Sequence, residues 1–534
     1  MVQARPQRGK GPGCATVGSW ESTMSHTRKI ARNASVVAGA TLLSRVLGFV
    51  RDVVIAFALG AGPLADSFFV AFRLPNLLRR LFAEGSLTMA FVPVFTRSDR
   101  FDGQDEAFAV ARSTALWLLL LLGLLMGVAI VAARPLTLVI APGFADTPEV
   151  VNHTALLVRI CFPYILFISG VALCMGILNA RDHFLAPALA PCVLNAVLIT
   201  ASLAAVALGW PVPTTLAWAV LVAGLGQWLL QQPFLRRQGF SWFGPASLRH
   251  PGVLRIGRLM LPTVVGAAVY QLNIVLGTVL ASFLSLGSIS FLYYADRLVQ
   301  FPLGVFGIAV SQAALPSFSR LAADGAHEDL LQTLNKTLGL LIFISLPSAA
   351  GLIALSEPMV ATLFGRGAFS AEAVQATAWA LVGYSTGLPA FCCVRSLVST
   401  YYALEDTKTP VKIATLCLLL NGGLGLLLMQ FWAHVGLALA VALASWANVV
   451  LLLRGLRAHF NGPWMAVPGV VRMLGLSLLV GVGAWVTAGW GGWALLGIPF
   501  WAAVYLGAAG MLGMPETELF FDGTRQVLRR VGKR

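Results

Sequence analysis

The sequence predicts an all-α polytopic membrane protein of about 14 transmembrane helices: two six-helix lobes related by a parallel repeat, plus two C-terminal helices. Three observations point there. The 534 residues are 58% hydrophobic and only 11% charged, with a mean hydropathy of +0.81, whereas soluble domains carry about a quarter charged residues. Apolar runs of bilayer-crossing length, about 20 residues, recur along nearly the whole chain and leave little room for a soluble domain. Finally, a single offset of 223 residues pairs Pro93 with Pro316, Pro135 with Pro358 and Pro187 with Pro410, and the stretch PVFTR (93–97) with PSFSR (316–320). One offset holding across five spans argues for internal duplication. Six spans per repeat, an even number, makes the two lobes point the same way.

Residues 1–27 are polar and lack an apolar h-region, so they read as a disordered extension, with Met24 offering a second start. The N-lobe, 28–250, holds spans at 34–59, 65–97, 113–133, 151–178, from 187, and 214–232. A basic linker with Arg236, Arg237, Arg249, Arg255 and Arg258 leads to the C-lobe, 251–460, with spans at 259–284, 289–314, 337–355, 372–402, 411–431 and 435–453. The segment 461–534 carries spans 473–490 and 493–512 and a tail. Lys and Arg crowd the loops 97–112, 236–258 and 454–472, so the positive-inside rule places both termini in the cytoplasm. The same rule accounts for much of the formal charge of +15, and nucleic acid is a poor partner for it.

The second span is unlike a lipid-facing helix. ADSFFVAFRLPNLLRRLFAEG (65–85) holds Asp66, Arg73, Arg79, Arg80 and Glu84. Each charge at bilayer depth costs about 2.5–3.5 kcal/mol even on a lenient scale, so this helix must face protein or water. Asn76, Arg80 and Glu84 recur at every fourth residue and make one polar stripe, and Pro75 is expected to bend the helix ahead of the arginine pair. Span one adds Arg45, Arg51 and Asp52, and span eight adds Asp296 and Arg297. The 223-residue equivalents of Arg45, Arg51 and Asp52 are Ala268, Ile274 and Val275, so the expected central cavity is basic chiefly on its first-lobe side. Excess buried positive charge calls for an anion, and guanidinium forks suit phosphate oxygens. Arg51, Arg79 and Arg297 are read as substrate-binding, and Asp52, Asp66, Glu84 and Asp296 as counter-charges. Arg159 and Arg395, alone in their spans, are read as structural or snorkelling.

No nucleotide-binding, nucleophile-elbow or metalloprotease motif is present. Six of the seven cysteines lie in apolar spans with no CxxC or other ligand spacing and the histidines are scattered singly, so no metal or cofactor is expected. The residues point to a transporter of an anionic, phosphorylated ligand. The rival readings are an exporter of a polyprenyl-diphosphate-linked saccharide or of an organic cation, a membrane enzyme acting on prenyl-phosphate lipids, and a non-transporting scaffold, and a cation exporter would want an acidic cavity.

SRVLGFVRD (44–52), the 65–85 stretch, APGF (141–144), FPYILFISG (162–170), YYADRLVQFP (293–302) and KTPVKIA (408–414) together resemble the MurJ/MviN lipid II flippase family of the multidrug/oligosaccharidyl-lipid/polysaccharide exporter superfamily. The resemblance implies fourteen helices, two lobes around a central cavity and a lipid-tail groove at helices thirteen and fourteen. It implies a bacterial inner-membrane flippase, not an enzyme, working by alternating access, here expected as a monomer among membrane lipids. Its substrate would be lipid II, the undecaprenyl-diphosphate-linked disaccharide-peptide. It further implies that Arg51, Arg79 and Arg297 are the essential cavity arginines, with Asp52 and Glu84 as matching acids and Arg45 as a further match near the periplasmic gate; Arg80 and Asn76, from the polar stripe, are read as substrate-binding beside them. Some members hold sodium through carboxylates on the seventh and the eleventh or twelfth helices. This chain has no Asp or Glu in 259–284 or 411–453.

Overall fold

In a computed structural model, residues 17–80, 86–457, 459–460 and 467–521 are described, and among them every regular element is a helix. The N-lobe runs through α1 (Val17–Leu59), α2 (Pro63–Leu78), α3 (Ser86–Phe101), α4 (Gln104–Val131), α5 (Ala133–Ile140), α6 (Pro148–Cys161), α7 (Tyr164–Ala180), α8 (Leu185–Leu208) and α9 (Val212–Arg237). The C-lobe follows as α10 (Pro251–Ser282), α11 (Ser288–Pro302), α12 (Ala309–Ala323), α13 (His327–Ala354), α14 (Ser356–Leu363), α15 (Ala371–Ser385), α16 (Leu388–Ala403) and α17 (Lys408–Arg457). Last come α18 (Val467–Ala488) and α19 (Gly497–Met511).

The duplication is written in the helix boundaries. α4, α5 and α6 start at 104, 133 and 148, and α13, α14 and α15 start at 327, 356 and 371, each 223 residues later. α17 is two helices joined at Trp432 and Ala433, where Ala433 has φ +45°. Its halves repeat α8 and α9, whose turn uses Gly209 at φ +66°. The expected spans four, eight and ten are each interrupted, but four and eight still run as single crossing segments, Pro148–Ala180 and Ser288–Ala323. α15 and α16 meet at a 42° bend, and a π-helical turn, Leu303–Ile308, separates α11 from α12. Residues 79–80, at the matching point of the first lobe, are also π-helical. Pro75 sits inside α2 one turn before that break, as its missing N–H requires.

Nine helices are long and apolar enough to cross a membrane among the described residues, ten with the bent pair α15–α16 as one span. The fourteen expected spans exceed that number because α17 contains two of them and because α1, the interrupted α2–α3 and α10 fall outside the test. Leu119, Leu120, Leu124 and Val128 of α4 are exposed, which is the outward face of a helix solvated by lipid. Residues 1–16 of the segment expected to be disordered lie outside the described residues. Its remainder, 17–27, is continuous with α1, where nothing from 19 to 38 is Gly or Pro.

Within the N-lobe α1 packs on α8, α8 on α9, and α2 on α6. In the C-lobe α16 packs on α17 and α11 on α15. α18 lies along α13, and α19 is tied there by Tyr505, whose hydroxyl donates to Phe343 O at 2.9 Å. At the entry to α17, Asp406 Oδ1 accepts from the N–H groups of Lys408 and Thr409, both at 3.0 Å, and the Thr409 hydrogen bonds hold this carboxyl below its usual range.

Candidate functional site

Between the lobes lies a chamber of about 1060 Å³. α1 and α2 contribute Arg51, Arg73, Asn76, Arg79 and Arg80, and the C-lobe contributes Asp296, Arg297 and Arg395. Among the described residues, six arginines therefore line it against one acid, Asp296.

The centre of this arrangement is a carboxylate shared by two guanidiniums from opposite lobes. Arg51 donates through Nη2 and Nε to Asp52 Oδ1, at 2.7 and 3.0 Å, and Arg297 Nε lies 3.5 Å from Asp52 Oδ2. Asp52 is 4% exposed and sits behind the two arginines. Tyr293 donates its hydroxyl to the same carboxylate at 3.3 Å, while its ring lies 4.6 Å from the Arg297 guanidinium carbon. The remaining fork of Arg51 is held by Asn195 of α8, which accepts from Nη1 at 3.0 Å and itself donates to Ser44 O. One negative charge between two positive ones leaves the pair short of an anion, and the fixed planes of both forks define where that anion sits.

Around this centre, Arg79 Nε donates to Asn76 Oδ1 at 2.9 Å, and Gln300 Nε2 donates to Asp296 Oδ1 at 3.3 Å. Arg73 ties the lobes together by donating to Thr278 Oγ1 and to Ile274 O of α10.

Two expected members lie elsewhere. Asp66 does not line the chamber: buried to 1% exposure, it accepts from Gly287 N at 2.6 Å and Ser290 N at 2.8 Å, capping α11 across the lobe boundary. A buried carboxylate on the free N–H groups of a helix start is favourable by itself, so no arginine is needed there. Arg45 reaches instead to the π-helical turn, where a side chain at Gly304 would begin 3.0 Å from Arg45 Nη1. Glu84 falls outside the described residues. Conversely, Asn195, Tyr293 and Gln300 escaped sequence reasoning, since amides and tyrosines in apolar spans carry no periodic signal. Arg395 lines the chamber on α16, where snorkelling was expected.

Asp66 belongs to a seal on one side of the chamber. Tyr294 donates to Gly60 O at 3.1 Å, Ala368 N to Phe57 O at 2.9 Å, and Gly143 N to Ser282 Oγ at 3.0 Å, all between lobes. On the other side, the start of α10 rests on α3, with Ile256 packed among Phe95 and Phe108.

Where the resemblance implies sodium, α10 and α17 meet through a neutral amide pair, Asn421 Nδ2 donating to Asn273 Oδ1 at 2.8 Å. Those residues do not fit a carboxylate-held cation. Among the described residues no group of three or more His, Cys, Asp or Glu is placed to hold a metal.

Residues 55–497 match a family model described as lipid II flippase MurJ. The chain is 38% identical over 459 residues to a probable lipid II flippase MurJ of Rhizobium tropici, covering 83% of this chain and 84% of that one. To the lipid II flippase MurJ of Burkholderia cenocepacia it is 37% identical over 453 residues, covering 83% and 87%. Among solved structures it is similar to a lipid II flippase MurJ in an inward closed conformation, with a TM-score of 0.77 at 26% identity over 89% of this chain and 98% of that one. An inward-facing MATE family transporter of the MOP superfamily shares the fold alone, with a TM-score of 0.64 at 12% identity over 82% and 98%. A two-lobed helical membrane protein with an arginine-lined chamber at the lobe interface, this chain belongs to the MurJ family of lipid II flippases, which are transporters.

Proposed function

We propose that the chain carries lipid II from the inner to the outer leaflet of a bacterial inner membrane, gripping its diphosphate between Arg51 and Arg297 with Arg79 beside them. The observation that carries this reading is Asp52, one carboxylate holding two guanidiniums from opposite lobes. Asp52 keeps both guanidiniums facing the same point. A diphosphate offers more negative charge and two phosphoryl groups, one for each fork, and drawing Arg51 and Arg297 onto one ligand couples its presence to the lobes' relative position. The prenyl tail stays in lipid while the head group turns through the chamber.

With both termini in the cytoplasm, the seal made by Asp66, Tyr294, Ala368 and Gly143 lies on the outer side, and the chamber receives substrate from within. Carrying about two negative charges outward, down an inside-negative potential of about 100 mV, releases roughly 4–5 kcal/mol, so nucleotide hydrolysis is not required. One chain contains both lobes and suffices as a monomer.

Alanine replacement of Arg51 or Arg297 tests this. Each variant, made at wild-type level, should fail to replace an essential flippase in depleted cells and should lose vesicle-to-vesicle-leaflet movement of labelled lipid II by at least about a hundredfold, the cost of losing a charge-assisted two-point contact. Full rescue by both variants would overturn the assignment.

A further inference from the structure

The chamber is far larger than the diphosphate it is assigned. At about 1060 Å³ it reaches the upper end of the range that encloses whole drug-sized molecules. Its polar groups are also unevenly engaged. Arg51, Arg73, Arg79 and Arg297 all meet protein partners, and Arg80 stands beside Arg79 in the cluster already assigned to the diphosphate. Arg395 differs: its side chain is exposed, and the α16 face that carries it looks into the chamber continuously through Phe391, Val394, Arg395, Val398, Ser399 and Tyr402. Those positions follow helical spacing, so the whole stripe is a wall of the chamber and not a lipid-facing flank. On the α16 face Arg395 is the one charged residue, and Gln312 of α12 and Asn448 of α17 add neutral amides to the C-lobe lining of the chamber. Neutral amides and hydroxyls suit sugars and peptide groups, and a lone accessible guanidinium among them suits one carboxylate.

We propose that Arg395 is a second anion subsite on the C-lobe wall, receiving a carboxylate of the peptide that the lipid-linked head group carries. The assignment rests on the flippase reading and deepens it: Arg51 and Arg297 hold the diphosphate, and Arg395 fixes the far end of the same head group. Two fixed points at opposite walls orient an elongated polar ligand, which one diphosphate grip cannot do.

The test uses the full chain in vesicles with two labelled lipids, prenyl-diphosphate disaccharide with its peptide and the same lipid without the peptide. Arg395→Gln should slow movement of the peptide-bearing lipid roughly tenfold, about one charge-assisted hydrogen bond, and leave the peptide-free lipid at the wild-type rate. Arg395→Lys should retain part of the preference, since it keeps the charge and loses the fork. Amidating the peptide carboxylates should abolish the difference between wild type and Arg395→Gln. Equal loss for both lipids, or no loss for either, overturns the subsite. Movement of neither lipid by the wild type would instead bring down the flippase reading beneath it, a result distinct from the failure of Arg395 alone.

Discussion

Asp66 and Asp52 are both buried acids in charged helices, and their surroundings give them opposite work. Asp52 faces two guanidiniums and Asp66 faces two backbone N–H groups. Removing the Asp66 carboxylate leaves Gly287 and Ser290 N–H groups without an acceptor in a dry interface. Asp66→Ala should therefore weaken the seal by about 2 kcal/mol, a roughly thirtyfold shift towards an open outer side. The readout is labelling of a cysteine at Ser282 by a membrane-impermeant reagent from outside, and unchanged labelling would show that the cap carries no gating energy. What the sequence disclosed at this scale was residue type: Arg51, Arg79, Arg80 and Arg297 were marked by the cost of burying charge. It could not distinguish Asp52 from Asp66, because what separates them, Arg297 and Tyr293 on the one and the Gly287 and Ser290 N–H groups on the other, comes from the start and body of α11, more than 220 positions away.

At the scale of elements, the breaks matter more than the spans. Splitting of α2 from α3 and of α11 from α12 occurs at equivalent points, and the π-helical turn brings Gly304 to Arg45. Pro75 inside α2 and Pro302 at the end of α11 mark both places in the sequence, whereas the approach of Gly304 to Arg45 depends on a neighbour distant in the chain. The turn Pro142–Asp146 presses on the end of α10 so closely that a Cβ at Gly143 would collide with the backbone of Ser282 and Phe283. Gly143→Val should prise that contact apart, costing about 1–3 kcal/mol of closure as overpacking does. A lowered melting temperature together with raised outer accessibility of residue 282 is the expected pair of results. Wild-type values of both would mean the turn yields without consequence.

For the whole molecule, transport requires the lobes to separate where they are now bonded. Ala368 N and Phe57 O are 2.9 Å apart across the seal, close enough for cysteines at these two positions to be joined. The oxidised Phe57→Cys/Ala368→Cys protein should move no lipid II, and reduction should restore it. Transport by the oxidised form at the wild-type rate would rule out opening at this place. The exposed apolar faces of α4, α8 and α18 are consistent with a body that moves in lipid, where sliding lobes past each other exposes no hydrocarbon to water.

Composition and the recurrence of apolar runs determined that this chain spans a membrane, because hydrocarbon solvation acts on each segment separately. The 223-residue offset determined that it has two like lobes, since duplication survives in the spacing of prolines and helix ends. Only the tertiary structure decided which charges share a chamber, which acid is a latch and which lone arginine is available to a ligand. Those are properties of pairs distant in the chain, and electrostatic energy depends on separation in space and on burial, neither of which a linear pattern records.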